Sequence, residues 1–384
     1  MTSGSDKQNS QVQSNNFMYN WVYQVGEKKF SSKLLAINHS NQTSKPIYFN
    51  CPQDYNTYDF SNEPKESLQV LFKNQAQKIR DSYKTVRLYF SGGSDSHLIL
   101  RTFLDNNIPI DEIICLKSGF ASADFEIDNY AIPILKKLDL KNTKVHINCP
   151  SLETYYKYYK EGVTAEKIQN SSYTYHTHFR LQEAVEYHSE KNYNPLTANM
   201  RGFDKSTIIY KDGHWYTYFL DVNLEPFPHM INFFSDDTKI QSKQAHKWKR
   251  VVETLTDKQG NKTHNFQDKE IQMMWNQATG RIYETPLKDC FYDKGDNHIL
   301  IDNKKWYYRN FKEKYAFESV MLKNKELLYL WQSNLQDLAK YTGNHWWNQG
   351  SPELGSIGIL SKFYCLTKNQ TKTVDELYPN GFKP

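Results

Sequence analysis

The run Val86-Arg87-Leu88-Tyr89-Phe90-Ser91-Gly92-Gly93-Ser94-Asp95-Ser96-His97-Leu98-Ile99-Leu100 restricts the folds open to this chain more than any other stretch. Residues rich in β-branched and aromatic types lead into a Ser-Gly-Gly-Ser turn, and apolar residues at helical spacing follow at once: Leu98, Ile99, Leu100, Phe103 and Leu104. A strand that feeds a helix through such a turn is half of a βαβ unit, so the expected class is α/β. Gly92 and Gly93 lack a Cβ, which lets the backbone take positive φ and lets an anion approach the main-chain N–H groups. Those groups open a helix, whose dipole also favours negative charge. Ser91, Ser94 and Ser96 add hydroxyls, and Asp95 adds a carboxylate able to hold Mg²⁺ against a polyphosphate. The loop has no lysine, and the pattern G-x-x-x-x-G-K-[ST] occurs nowhere in the chain, so this is a different cradle from the common nucleotide-triphosphatase loop.

Ser91-Gly92-Gly93-Ser94-Asp95-Ser96 resembles the S-G-G-x-D-S signature of the PP-loop ATP pyrophosphatases, and the surrounding segment is most similar to the synthetase domain of asparagine synthetases. The resemblance implies an open parallel Rossmann-like sheet, with cleavage of ATP between its α and β phosphates. AMP would pass to a carboxylate or carbonyl oxygen, and Mg²⁺ would accompany ATP. It also implies that the main chain just after the second strand meets the adenine edge, which makes Leu116 and Lys117 candidates. A plain strand end is the alternative for either side chain.

The rest of the chain is read around that unit. Trp21 to Val25, Lys28 to Phe30, Leu34 to Ile37 and Ile47 to Phe49 read as short antiparallel strands of a β-rich region over 17–62. Ser61-Asn62 with Glu63, Pro64 and Glu66 is a helix-start signal, followed by Leu68, Leu71, Phe72 and Ile79 on one face. Strands are expected at Glu112–Leu116 and at Lys144–Ile147, separated by a helix over Ala123–Leu138. Together these make a nucleotide domain over 63–220. Residues 151 to 190 are helical in pattern. His176, His178 and His188 suggest a metal, but side chains two apart on a helix face different ways, which favours a solvated helix.

The stretch Pro195 to Asp204 resembles, in position, the asparagine synthetase motif G-x-G-x-D-E, whose aspartate completes Mg²⁺ binding. Asp204 is thus either a metal ligand or part of a hairpin turn. Lys205 stands where the motif has glutamate, and a lysine there can face pyrophosphate as a point charge. Asp212-Gly213 marks a hairpin. Between Lys239 and Arg250 lies a basic helical run containing Trp248, read as a solvated face, a pyrophosphate clamp or an RNA-facing patch. The remainder, 221–384, reads as a mostly helical, aromatic-rich substrate region. It has helices at Phe266–Ala278 and Phe317–Tyr341, and Trp346, Trp347 and Gly350–Gly358 form a pocket wall or packed aromatics.

Composition narrows the partners. Lysine plus arginine number 48 against 43 acids, a net +5 too small to argue a nucleic-acid-wrapping chain. Five dispersed cysteines without a C-x-x-C pair speak against structural zinc, an iron–sulfur cluster or a secreted disulfide framework, and fit a reducing cytoplasm. No apolar run approaches the ~18 residues of a membrane helix. Residues 1–16 are polar and expected to be disordered. The second residue is Thr2, where asparagine synthetases carry the cysteine nucleophile of a glutaminase, so a built-in ammonia supply is not expected.

The expected activity is ATP-dependent adenylation of a small carboxylate with amide formation by an amine. Asp95 and Lys205 are its candidate catalytic groups. A nucleobase or tRNA acceptor, which the basic run admits but does not favour, and a nucleotide sensor without turnover are the rivals.

Overall fold

A computed structural model of the chain describes residues 21–117, 124, 126–140, 142–165, 196–202, 207–219, 221, 230–254, 274–275, 324–342 and 359–379. It opens with strands β1 (Val22–Val25) and β2 (Lys28–Phe30), helix α1 (Lys33–Thr43) and strand β3 (Ile47–Asn50); the strands pair antiparallel in the order β2-β1-β3. The expected strand at Leu34–Ile37 is instead the first turn of α1. Ser32 caps it by accepting the N–H of Leu35, and Lys33, Ala36 and Ile37 share one buried face at helical spacing.

After the single turn α2 (Asp54–Thr57) comes α3 (Leu68–Ser82). It starts later than the Ser61-Asn62 signal suggests, because Ser67 is the residue whose hydroxyl accepts from Val70 N–H. Next come β4 (Thr85–Tyr89), α4 (Ser94–Asp105), β5 (Glu112–Leu116), a π-helical turn Ile127–Ala131 running into α5 (Ile132–Lys136), β6 (Lys144–Asn148), α6 (Leu152–Lys160) and β7 (Thr197–Arg201). Strands β8 (Thr207–Lys211), β9 (His214–Tyr218) and β10 (Met230–Asn232), helix α7 (Thr238–Thr254), strand β11 (Met274–Trp275), helix α8 (Lys325–Thr342), strands β12 (Phe363–Cys365) and β13 (Thr371–Lys372) and the turn α9 (Val374–Leu377) follow.

Five strands form an all-parallel sheet in the order β10-β7-β4-β5-β6. Val86, Leu88 and Phe90 point to one face and are buried against Leu71, Phe72, Ala76 and Ile79 of α3 and Ile99, Leu100 and Phe103 of α4. Burying that apolar face drives the helices onto the sheet. Arg80, at the end of α3, sets where β4 begins. Its guanidinium donates to Asp111 at 2.6 Å and to the carbonyls of Tyr83 and Lys84 at 2.7 and 2.6 Å, and Asp111 accepts from Val86 N–H at 2.7 Å.

A second sheet, β11-β8-β9-β12-β13, is antiparallel. Its hairpin turns at Asp212 (φ 51°) and Gly213 (φ 79°), the left-handed pair that the Asp-Gly signal requires. Met274-Trp275, expected within a helix, is extended because it pairs with Ile209 and Ile208 along an edge that would otherwise be bare; the rest of that segment lies outside the described residues. The helix expected from Phe317 begins, in the described part, at Lys325.

An aromatic core joins stretches far apart in sequence: Trp21, Phe49, Tyr55 and Phe60 pack with Phe219, Trp248 and Tyr364. Beside it Lys33 Nζ meets Asp221 at 2.7 Å with both side chains almost wholly buried. Asp221 also accepts from Tyr23 OH at 3.0 Å and from Ile359 N–H at 2.7 Å.

Candidate functional site

β4 is the strand at which the parallel sheet reverses its order of growth: β5 and β6 extend one side of it, β7 and β10 the other. The crevice at the carboxyl ends of such neighbouring strands is where open α/β sheets bind small ligands. At this switch point β4 leads through Phe90 into Ser91-Gly92-Gly93, and β7 leads into Gly202.

The loop is folded by its own hydroxyls. Ser91 N–H donates to Ser96 Oγ at 3.3 Å, Ser96 Oγ donates to the Gly93 carbonyl at 3.2 Å, and Gly93 N–H donates to Ser91 Oγ at 3.2 Å. Ser96 is buried and braces the loop, while Ser91 is exposed. Gly93 is the N-cap of α4 and makes no side-chain cap bond, so the opening amides of that helix have no side-chain acceptor at the cap. Asp95 is half-buried in this first turn. The dipole and the amides together make the end of α4 a place for an anion.

Two glycines are closely approached by their neighbours. Gly92 has φ 74°, and a Cβ on it would fall 2.6 Å from the backbone N and 2.9 Å from the Cα of Ala131. A Cβ on Gly202 would lie 2.8 Å from Ile99 Cδ1 and 3.2 Å from Asp95 Cβ. The end of β7 is thereby pressed against the first turn of α4.

Leu116 and Lys117 stand, half-buried, at the carboxyl end of β5, on the same edge of the sheet. Lys117 N–H is taken by the Asn148 carbonyl at 2.7 Å, and its Nζ by Asp128 at 2.9 Å. That hydrogen bond raises the lysine pKa. Burial lowers the pKa of His97 at the back of the loop, helped by the Arg101 charge, and pushes the Cys115 thiol up to about 12, so neither is an ionised group at neutral pH.

The chain matches no known family model, no curated protein and no solved structure.

Of the residues singled out in sequence, the structure brings Ser91, Gly92, Gly93, Asp95 and Ser96 together, has Ser94 open α4, and sets Leu116 and Lys117 one strand away. Asp204 and Lys205 lie outside the described residues, as do residues 1–16, His176, His178, His188, Cys290, Trp346 and Trp347. Among the described residues, no group of three or more His, Cys, Asp or Glu gathers as a metal site, and no helix is long and apolar enough to cross a membrane.

The basic run lies on α7, where much of its charge is satisfied within the chain. Lys239 pairs with Glu66 at 3.0 Å, Lys243 with Glu63 at 2.9 Å, and Arg250 also with Glu63. His246 is buried against the Phe60 carbonyl, and Trp248 is buried in the aromatic core. Sequence reasoning missed Ala131 and Gly202 as walls of the site. Gly202 two residues before Asp204 signals the second, whereas the contact of Ala131 exists only once β4 and β5 lie side by side.

Proposed function

We propose that this chain is an AMP-forming, ATP-dependent ligase of the PP-loop type, adenylating a small carboxylate and then forming an amide, with the parallel sheet as a Rossmann-like nucleotide fold. The observation that carries the reading is the position of Ser91–Ser96: at the carboxyl end of the strand where sheet order reverses, opening a helix with no side-chain cap.

The residues present suit the groups this chemistry needs. Ala131 closes the space beside Gly92, so a phosphate would meet the opening amides of α4, and Asp95 offers a carboxylate in that same first turn. Gly202 packs on Asp95, and Asp204, which lies outside the described residues, would by the resemblance supply a second Mg²⁺ ligand. When bound, Mg²⁺ offsets charge on the phosphate oxygens.

Each part of the chain then has a role. The first-turn amides of α4 and its dipole bind and orient the β and γ phosphates. Ser96 holds the loop in shape, and Lys205 supplies a further positive charge for the departing pyrophosphate. The main chain at Leu116 and Lys117 borders the base. Catalysis of this kind is positioning and electrostatic stabilisation, and it needs no protein nucleophile. A nucleic-acid acceptor draws no support from α7, because Glu63 and Glu66 already occupy Lys239, Lys243 and Arg250.

The test is product analysis. The full chain with ATP, Mg²⁺, ammonium and pooled amino acids should release AMP and pyrophosphate, and Asp95→Ala should reduce the rate at least ~100-fold. ADP and phosphate as products, or an unaffected Asp95→Ala, would reject the reading.

A further inference from the structure

Lys117 follows β5, Asp128 sits in the π-helical turn, and the two meet in a two-pronged ion pair, Nζ lying 2.9 Å from one carboxylate oxygen and 3.0 Å from the other. The turn is braced at both ends. Asp128 N–H donates to the Asp124 carbonyl at 2.9 Å, and Ile132 N–H closes the wide turn on the carbonyl of Ile127. Pro133 gives a local reason for the widening, since it has no N–H to donate to the carbonyl of Asn129, four residues before it. Ala131, the last residue of the turn, is fully buried, and its backbone fills the space a Cβ on Gly92 would occupy. One five-residue turn therefore carries an ion pair near its start and the stop for the loop glycine at its end.

We infer that Lys117 and Asp128 are positioning residues: their ion pair holds the turn 127–131 against Gly92 and thereby fixes the direction in which the opening amides of α4 point. A pair with one half-buried and one exposed partner adds little to global stability, so its effect is on the register of one short turn. The side chain of Lys117 is occupied by this task, as its N–H is by the Asn148 carbonyl. The consequence for ATP rests on the reading of 91–96 as a phosphate loop; the mechanical link does not.

The experiment uses the full chain as wild type, Lys117→Met, Asp128→Asn and the swap Lys117→Glu with Asp128→Lys. Amide hydrogen exchange over residues 90–97 and the affinities for ATP with Mg²⁺, pyrophosphate and adenosine are measured in each. Both single variants should speed exchange in the loop at least fivefold without changing exchange in α3. They should weaken ATP and pyrophosphate at least fivefold while adenosine stays within twofold, and the swap should recover at least half of each effect. Loop exchange that ignores the single variants, a swap that recovers nothing, or an equal loss of adenosine overturns the positioning role. If wild type binds neither ATP nor pyrophosphate while loop exchange still follows the pair, the positioning role stands and the nucleotide reading falls.

Discussion

Gly202, the residue after β7, packs directly on Asp95 in the first turn of α4, so closely that a Cβ on it would stand 3.2 Å from the aspartate Cβ. The end of β7 and the helix that follows β4 are thus locked together at the point where the candidate site lies. Gly202 does not have the positive φ that would penalise every side chain there, and the tightest contact, Ile99 Cδ1, is the end of a flexible side chain. Gly202→Ala should therefore destabilise the chain by no more than about 1–2 kcal/mol, whereas Gly202→Val should displace Asp95 and weaken ATP binding at least tenfold. Urea titration and calorimetric binding separate the two effects.

Gly92→Ala is a different case. The substitution meets backbone rather than a side-chain tip, at a φ that L residues rarely adopt. A loss on the order of 1–3 kcal/mol is expected, with ATP binding abolished. Denaturant midpoints compared with Gly213→Ala check it, because Gly213 has a similar φ with open space around it and isolates the conformational part.

Lys33 and Asp221 test the buried join between α1 and the segment after β9. Removing one partner strands the other charge, so Lys33→Met or Asp221→Asn should each cost about 3–5 kcal/mol. Replacing both, as Lys33→Met with Asp221→Leu, should cost clearly less than the sum. A double variant as unstable as the sum would show that the two charges do not act as a pair.

Glu63 predicts an acid dependence. Burial raises its pKa, but hydrogen bonds and charge from Arg250 and Lys243 outweigh this and hold it at about 2, against an ordinary 4.5. The carboxylate is thus favoured in the folded chain. Its contribution is present above pH 4.5 and disappears as pH falls from there towards 2. Because Arg250 is half exposed, screening reduces the effect to about 1–2 kcal/mol. Glu63→Gln should be less stable than wild type at pH 7 and indistinguishable near pH 2, measured by urea midpoints at both values.

What the sequence disclosed follows what is local in the physics. β5 and β6 were legible because Glu112–Leu116 and Lys144–Asn148 carry strand-forming residues between turn signals, and the hairpin because Asp-Gly dictates its own dihedrals. The start of α4 was legible because the glycine pair and the helix share one continuous segment. Leu34–Ile37 misled because four apolar residues show no period, and only the cap at Ser32 distinguishes helix from strand. Nothing near Ala131 announces that it will touch Gly92, since that contact exists only once β4 and β5 lie side by side. The same holds for Lys239, Lys243 and Arg250, which read as a free basic face until the acids at 63 and 66 are laid along α7.

The aromatic core has a consequence for synthesis. Tyr364, which completes the packing of Trp21, Phe49 and Tyr55, is translated more than three hundred residues after them. The sheet β2-β1-β3 must wait, with part of its aromatic face uncovered, until β12 has been made. A ribosome stalled before residue 359 would hold a nascent chain whose aromatic core still lacks Tyr364, even with every strand of the parallel sheet already translated.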